Sequence, residues 1–201
     1  MRAADWDERY RASELLWSAE PNQFVEHELG ELDPAGRTAL DLACGEGRNA
    51  VWLAERGWTT LGLDFSPVAL KRAADLAHAR GVTVEWRRAD VTTWQAPAEG
   101  FGLVLIAYLH VPPHELTPVI EQAAAAVAPG GTFLAVGHHA DNLQRGHGGP
   151  NDPQLLWDPA QIAAVLDGLT VERAEERTRT VTTDEGPRTA LDALVRAHRP
   201  A

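Results

Sequence analysis

TALDLACGEGRNAVWLAERG, residues 38–57, opens on an apolar run, passes through two glycines and continues at helical spacing to another glycine, Gly57. The pattern predicts a buried strand over 38–44, a tight turn at Gly45 and Gly47, and a helix ending at Gly57. Lacking Cβ atoms, Gly45 and Gly47 let the backbone fold sharply and approach a ligand closely. A turn of this shape commonly cradles a cofactor.

The same alternation runs on through the chain. TTLGLDF (59–65) reads as strand, SPVALKRAADLAHARG (66–81) as helix and VTVEWRRAD (82–90) as strand. Ser66 followed by Pro67 suits a helix start, the hydroxyl capping and the proline at the first helical position. FGLVLIAYL (101–109) is the most apolar strand. PPHELTPVIEQAAAAVAPGG (112–131) reads as a helix closed by Pro129 and two glycines, and TFLAVGHH (132–139) as strand. The tail adds PAQIAAVLDG as helix, then LTVERAEERTRTV and RTALDALVRAHR as two strands joined by a turn at 183–187. Strict alternation implies right-handed crossovers and a doubly wound α/β domain, a mostly parallel seven-stranded sheet with an antiparallel last strand. One domain over 1–201 is expected, with residues 1–35 as a helical lid and 36–201 as the α/β core. The segment from Asp141 to Asp158 is the one long polar loop, and such loops are more often functional than idle.

Composition excludes several classes of partner. The net charge is −11, so the protein's field repels phosphate backbones and anionic membrane surfaces, and no nucleic-acid or membrane partner is expected. Lys71 is the only lysine, which removes mechanisms that need a second one. Cys44 is the only cysteine, so one chain can build neither an internal disulfide nor a cysteine-rich metal site. MRAADWDERY carries no apolar signal core, and FGLVLIAYLHV is too short to cross a bilayer. A cytoplasmic protein is the expectation, with its oligomeric state open.

In an open α/β sheet, ligands settle at the carboxyl ends of the strands, where strand order reverses. Two cofactors compete for the turn. GEGRNA matches the dinucleotide pattern G-x-G-x-x-G/A, and Asp64 ends the second strand about where a ribose-binding acid belongs. Against an NAD(P)-dependent oxidoreductase, Tyr108 is not followed four residues later by lysine, since position 112 is proline. Asp41, Glu46, Asp64 and Asp90 would also converge on the pocket. They make a poor surround for a pyrophosphate and an acceptable one for a cofactor carrying an ammonium and a sulfonium.

LDLACGEGRNA resembles the first motif of class I S-adenosylmethionine-dependent methyltransferases, with Asp41 as the acid ending the first strand and Ala43 where the family commonly has glycine. GLDFSPVAL, RRADVTTW, FGLVLIAYLHVPP and AVAPGGTFLAV continue the resemblance in order to residue 136. It implies S-adenosylmethionine as cofactor, giving S-adenosylhomocysteine. It further implies that Asp41, Ala43, Gly45 and Gly47 form the turn around the cofactor. Asp64 and Phe65 would take the ribose, Asp90 and Val91 the adenine, with Ile106 beside them. A carboxylate at Asp64 can accept from both ribose hydroxyls. The activity implied is methyl transfer to a small-molecule acceptor, of the type similar to the thiopurine and tellurite-resistance enzymes. A non-catalytic module that only binds S-adenosylmethionine is the further alternative.

Trp6, Tyr10, Trp17 and Phe24 give the N-terminal stretch an unusual aromatic density. In methyltransferases of the small-molecule type such a segment folds over the cofactor, and aromatic faces suit a sulfonium. Trp17 is the preferred lid residue. His110 at the end of the fourth strand, and His138 and His139 at the end of the fifth, are the candidates for taking a proton from the acceptor. A metal site over His138, His139, His147 and Asp141 matches no standard spacing, and no metal is expected. Gly148, Gly149 and Trp157 are expected to shape the mouth from the long loop.

Overall fold

The computed structural model describes residues 3–12, 18–34 and 37–201. Helices α1 (Ala3–Arg11) and α2 (Gln23–Leu29) precede the sheet. There follow β1 (Thr38–Leu42), α3 (Arg48–Glu55), β2 (Thr59–Asp64), α4 (Pro67–Arg80), β3 (Glu85–Arg88), β4 (Phe101–Ala107), α5 (Pro113–Ala126) and β5 (Val127–His138). The chain closes with the short helices α6 (Asn142–Arg145) and α7 (Pro159–Ala163) and a hairpin of β6 (Thr170–Thr183) and β7 (Gly186–His198).

The seven strands make one sheet in the order β3-β2-β1-β4-β5-β7-β6. The first five are parallel, and β7 runs antiparallel between β5 and β6. This is the Rossmann-like arrangement, with strand order reversing between β1 and β4. Alternate residues feed opposite faces. Leu103 and Leu105 of β4 pack with Phe24, Leu29 and Trp52 from α2 and α3, while Val104 and Ile106 pack with Val119 and Ile120 of α5.

Local signals account for most boundaries. Ser66 Oγ accepts from Ala69 N at the start of α4, Pro67 opens the helix, and Gly81 ends it in the left-handed region at φ 70°. The end of α5 differs from the sequence expectation. The helix stops at Ala126 and the chain enters β5 at once, because Val127 pairs with Phe101 and the APGG segment is pinned by backbone bonds between Gly130, Gly131 and Arg199. The long loop also holds more structure than expected, since α6 and a 3₁₀ turn at Pro153–Leu155 lie within it. Glu28, fully buried on α2, binds Arg173 and Arg177 of β6 and Arg196 of β7, which clamps α2 across the hairpin.

Candidate active site

A cavity of about 350 Å³ opens at the carboxyl ends of β1, β2, β4 and β5, beside the reversal of strand order. That volume suits a small-molecule site. Its floor is the turn after β1. Ala43 holds φ 56°, Gly45 φ 55° and Gly47 φ 77°, so three residues of the turn sit in the left-handed region. For Ala43 that conformation costs about 1–2 kcal/mol, which explains why glycine suits the position better.

Two carboxylates stand beside the turn and differ in their bonding. Asp64 accepts from Gly45 N at 2.9 Å on one oxygen and from Ser66 N at 2.8 Å on the other, so it braces the turn and keeps further acceptor capacity. Burial nevertheless raises its pKa. Asp41 is 1% exposed, and its carboxylate oxygens make no well-formed hydrogen bond among the described residues, the Ala50 N–H and the Arg48 guanidinium being the favourable groups nearby. Burial first, and the nearby Asp64 charge second, push its pKa from 3.8 up to about 8. A buried carboxyl so weakly bonded has acceptor capacity left for a positive group, which is what the ammonium and sulfonium of S-adenosylmethionine provide. The residues present therefore fit that cofactor.

The N-terminal helix forms one wall. Trp6 and Tyr10 of α1 line the cavity, and a Cβ added at Gly45 would lie 3.0 Å from the Tyr10 hydroxyl. Asp7 hydrogen-bonds Ser66 Oγ, which ties α1 to the start of α4. Phe24 instead packs in the core on α2 as a staple, and Trp17 lies outside the described residues.

The opposite end gathers polar groups from four elements. Tyr108, at the end of β4, adopts φ 59°; its hydroxyl donates to Asp192 Oδ2 at 3.0 Å and accepts from Asn22 Nδ2 at 3.2 Å. Arg179 Nε donates to the same Asp192 oxygen at 2.5 Å. His138 Nδ1 lies 3.3 Å from Asp192 Oδ1. His110 stacks on His138 with ring centroids 5.3 Å apart and Nδ1 3.3 Å from the Leu155 carbonyl. A carbonyl only accepts, so Nδ1 carries the proton in that bond. Burial, and then His138, lower the His110 pKa to about 4.

Of the residues singled out in the sequence, Asp41, Ala43, Gly45, Asp64, Phe65, His110 and His138 line the cavity. Five others do not. Gly47 turns its Cα toward α4 and β3, where an added Cβ would meet Trp86 at 2.6 Å and Ala73 at 2.7 Å; its role is helix–strand packing. Asp90 is exposed and spends its carboxylate on Thr92, in a turn of its own making. Val91 and Ile106 are buried in the core on the α5 face. His139 points away from His138, as adjacent strand residues do, and its Nδ1 meets Asp141 N and Glu176. His139, Asp141 and Glu176 bring their ligating atoms together, yet Arg145 already pairs with both carboxylates. Trp157 anchors the long loop inside the core, donating to the Leu109 carbonyl, and does not shape the mouth. Gly149 does shape it: its φ of 82° brings the loop backbone flush against the His138 ring.

The sequence reading missed Asp192 and Arg179 altogether and weighed Tyr108 only as a dehydrogenase residue. The signal for Asp192 was a single charge inside the apolar run TALDALV.

A family model described as a methyltransferase domain matches residues 39–131. The match covers a little under half of the chain, and over it the chain is similar to methyltransferases. That similarity points to S-adenosylmethionine as the cofactor in place of a dinucleotide. The chain is similar to a 2-heptyl-1-hydroxyquinolin-4(1H)-one methyltransferase of Mycobacteroides abscessus, 37% identical over 100 residues, or 48% of this chain and 44% of that protein. It is also similar to a ubiquinone biosynthesis O-methyltransferase of a Methylobacterium species, 34% identical over 107 residues, or 53% of this chain and 43% of that one. The chain thus spans less than half the length of either curated relative. Among solved structures, one from work on the conversion of a disulfide bond into a thioacetal group during echinomycin biosynthesis shares the fold at TM-score 0.76. It is 22% identical and covers 98% of this chain and 93% of its own. The family match ends at residue 131, before His138, Arg179 and Asp192, so it speaks to the cofactor end of the cavity. No helix among the described residues is long and apolar enough to cross a membrane.

Proposed function

We propose that this chain transfers the methyl group of S-adenosylmethionine to a small molecule bound in the same cavity. The observation that carries the reading is the buried, weakly bonded Asp41 carboxyl beside the left-handed turn at Ala43 and Gly45. In this reading Asp41 faces a positive group of the cofactor, the Gly45 backbone approaches it closely, and Asp64 and Phe65 hold its nucleoside. The cofactor supplies a methyl carbon on a positive sulfur that leaves as a neutral thioether. The protein's part is to align the acceptor, exclude water and accept a proton where the acceptor carries one. Trp6 and Tyr10 close the cavity, and Leu109 and Val111 give the acceptor end an apolar lining.

Two relatives act, by their names, on a hydroxyquinolone and in ubiquinone biosynthesis, which supports a hydroxylated aromatic acceptor as the first class to try. The finer likeness to thiopurine and tellurite-resistance enzymes belongs with the same screen, as thiol and chalcogen acceptors. Calorimetry with S-adenosylmethionine, with NADH as the competitor, tests the cofactor. Release of S-adenosylhomocysteine across phenols, thiols, amines, tellurite and halides tests the transfer. Absence of S-adenosylmethionine binding in folded protein would overturn the proposal, and tight binding without turnover of any acceptor would favour a binding module.

A further inference from the structure

The acceptor end of the cavity contains a pair of groups whose placement is set by sheet register. In the antiparallel ladder of β5 and β7, His138 stands directly opposite Asp192. Asp192 is fully buried, and its two oxygens are used differently. Oδ2 takes bonds from both Arg179 and Tyr108, whereas Oδ1 is left facing His138 Nδ1 at 3.3 Å. The approach is off the line of a full hydrogen bond, and neither atom has another partner among the described residues.

We propose that His138 is the group that takes the acceptor's proton and Asp192 its positioning residue, so that the acceptor is a molecule presenting a hydroxyl or thiol. The inference rests on the methyl-transfer reading of the cavity. A carboxylate oxygen can only accept, so the face it offers to His138 favours the tautomer with the proton on Nδ1. Nε2 then keeps its lone pair, on a residue that lines the cavity. When the acceptor's O–H or S–H bond breaks, the proton goes to Nε2 and the electron pair stays on oxygen or sulfur. That pair forms the new bond to the methyl carbon as the methyl–sulfur bond breaks and its pair passes to the departing sulfur. The imidazolium carries one added positive charge, which meets the Asp192 carboxylate, and the proton is later lost to water.

The surroundings single out His138 rather than its neighbours. The charged and titratable groups facing it are Asp192 from β7, Tyr108 and His110 from the end of β4 and, through Asp192, Arg179 from β6. His110 spends Nδ1 on the Leu155 carbonyl, and among the described residues it makes no ion pair with a carboxylate, Asp192 acting on it only from farther off. Tyr108 is held by bonds at its hydroxyl and strained at φ 59°, a conformation that persists where the surroundings impose it. The Gly149 backbone packs on the His138 ring, where any side chain would collide with it. A nucleophile that arrives already ionised would gain nothing from such a pair.

Two measurements on the full chain test the proposal. The first uses long-range proton–nitrogen spectra of protein saturated with S-adenosylhomocysteine, which report the His138 tautomer without any acceptor. Protonated Nδ1 is expected, and Asp192→Asn is expected to abolish that preference while leaving the His110 tautomer as it was. A His138 tautomer indifferent to Asp192→Asn would overturn the positioning role. The second compares phenol and benzyl mercaptan, both protonated at neutral pH, with iodide, in single turnovers of wild type and His138→Gln. Phenol and mercaptan rates are expected to fall at least about 100-fold. The loss with iodide is expected to be at least ten times smaller. An equal loss for all three overturns the proton-acceptor role, and so does wild-type turnover of iodide alone. Retained S-adenosylmethionine affinity and melting temperature in His138→Gln separate either failure from misfolding or from failure of the cofactor reading itself.

Discussion

Replacing Asp41 by asparagine should change how the protein binds its cofactor with pH, and the size of the effect follows from burial. The group titrates near pH 8 in place of 3.8. Lifting it that far penalises the ionised form by roughly 5–6 kcal/mol, at about 1.4 kcal/mol per pH unit. Between pH 3.8 and 8 the native state without cofactor holds a proton that the unfolded chain has lost, so its stability falls as pH rises through that window. A cation brought against the carboxyl reverses the preference and expels the proton. At pH 7 a group titrating near 8 is about nine-tenths protonated, so binding S-adenosylmethionine should release about 0.9 proton. Affinity should then rise about tenfold per pH unit up to pH 8 and level off above it. Calorimetry in buffers of different ionisation enthalpy counts the protons. In Asp41→Asn the release should vanish and the affinity should stay flat with pH, while the protein without cofactor becomes the more stable of the two at pH 8. The cofactor's own amino group titrates in both proteins, so the difference between them isolates Asp41. Equal proton release from both would refute the assignment of a positive group to Asp41.

Ala43→Gly removes the strain at φ 56° but adds freedom to the unfolded chain, so a net gain of about 0.5–1 kcal/mol is expected, read as a higher melting temperature. Gly47→Val collides with Trp86 and Ala73 at φ 77°; it should cost about 2–5 kcal/mol of stability, seen in denaturant melts, and lower cofactor binding only through loss of folded protein. Glu28→Gln leaves three partly exposed arginines facing a neutral group and should cost about 1–3 kcal/mol by the same measurement, since solvent screens the charges left behind. His110 is held neutral to about pH 4, while the unfolded chain takes up its proton near 6.5, so acid weakens the native state between those values. His110→Gln should therefore lose less stability than wild type as pH falls from 6.5 to 4 in thermal melts.

The fold was legible because parallel strands buried on both faces read as unbroken apolar runs, and Ser66, Pro67 and Gly81 punctuate the helix between two of them. The end of α5 was not, since the pairing of Val127 with Phe101 lies across the sheet and leaves no local mark. The cofactor end was legible for the same topological reason that puts Asp41 and Asp64 at neighbouring strand ends. At Gly47 the need for glycine comes from packing against Trp86, thirty-nine residues away, and a glycine needed for close packing looks the same in sequence as one needed for close approach to a ligand. The acceptor end was half legible. His138 and His139 are equivalent in sequence, and only the pairing of β5 with β7 distinguishes them. With Asp192 opposite His138, one histidine meets a buried carboxylate and the other turns toward Asp141 and Glu176. A slip of one residue in that ladder would exchange the two faces. The partners of Asp192 resist the slip, because it would carry this buried carboxylate to the opposite face of β7, away from the Tyr108 hydroxyl and the Arg179 guanidinium. The choice of histidine is thus enforced by the bonding of the one charged residue, Asp192, that this strand contributes to the cavity's polar cluster.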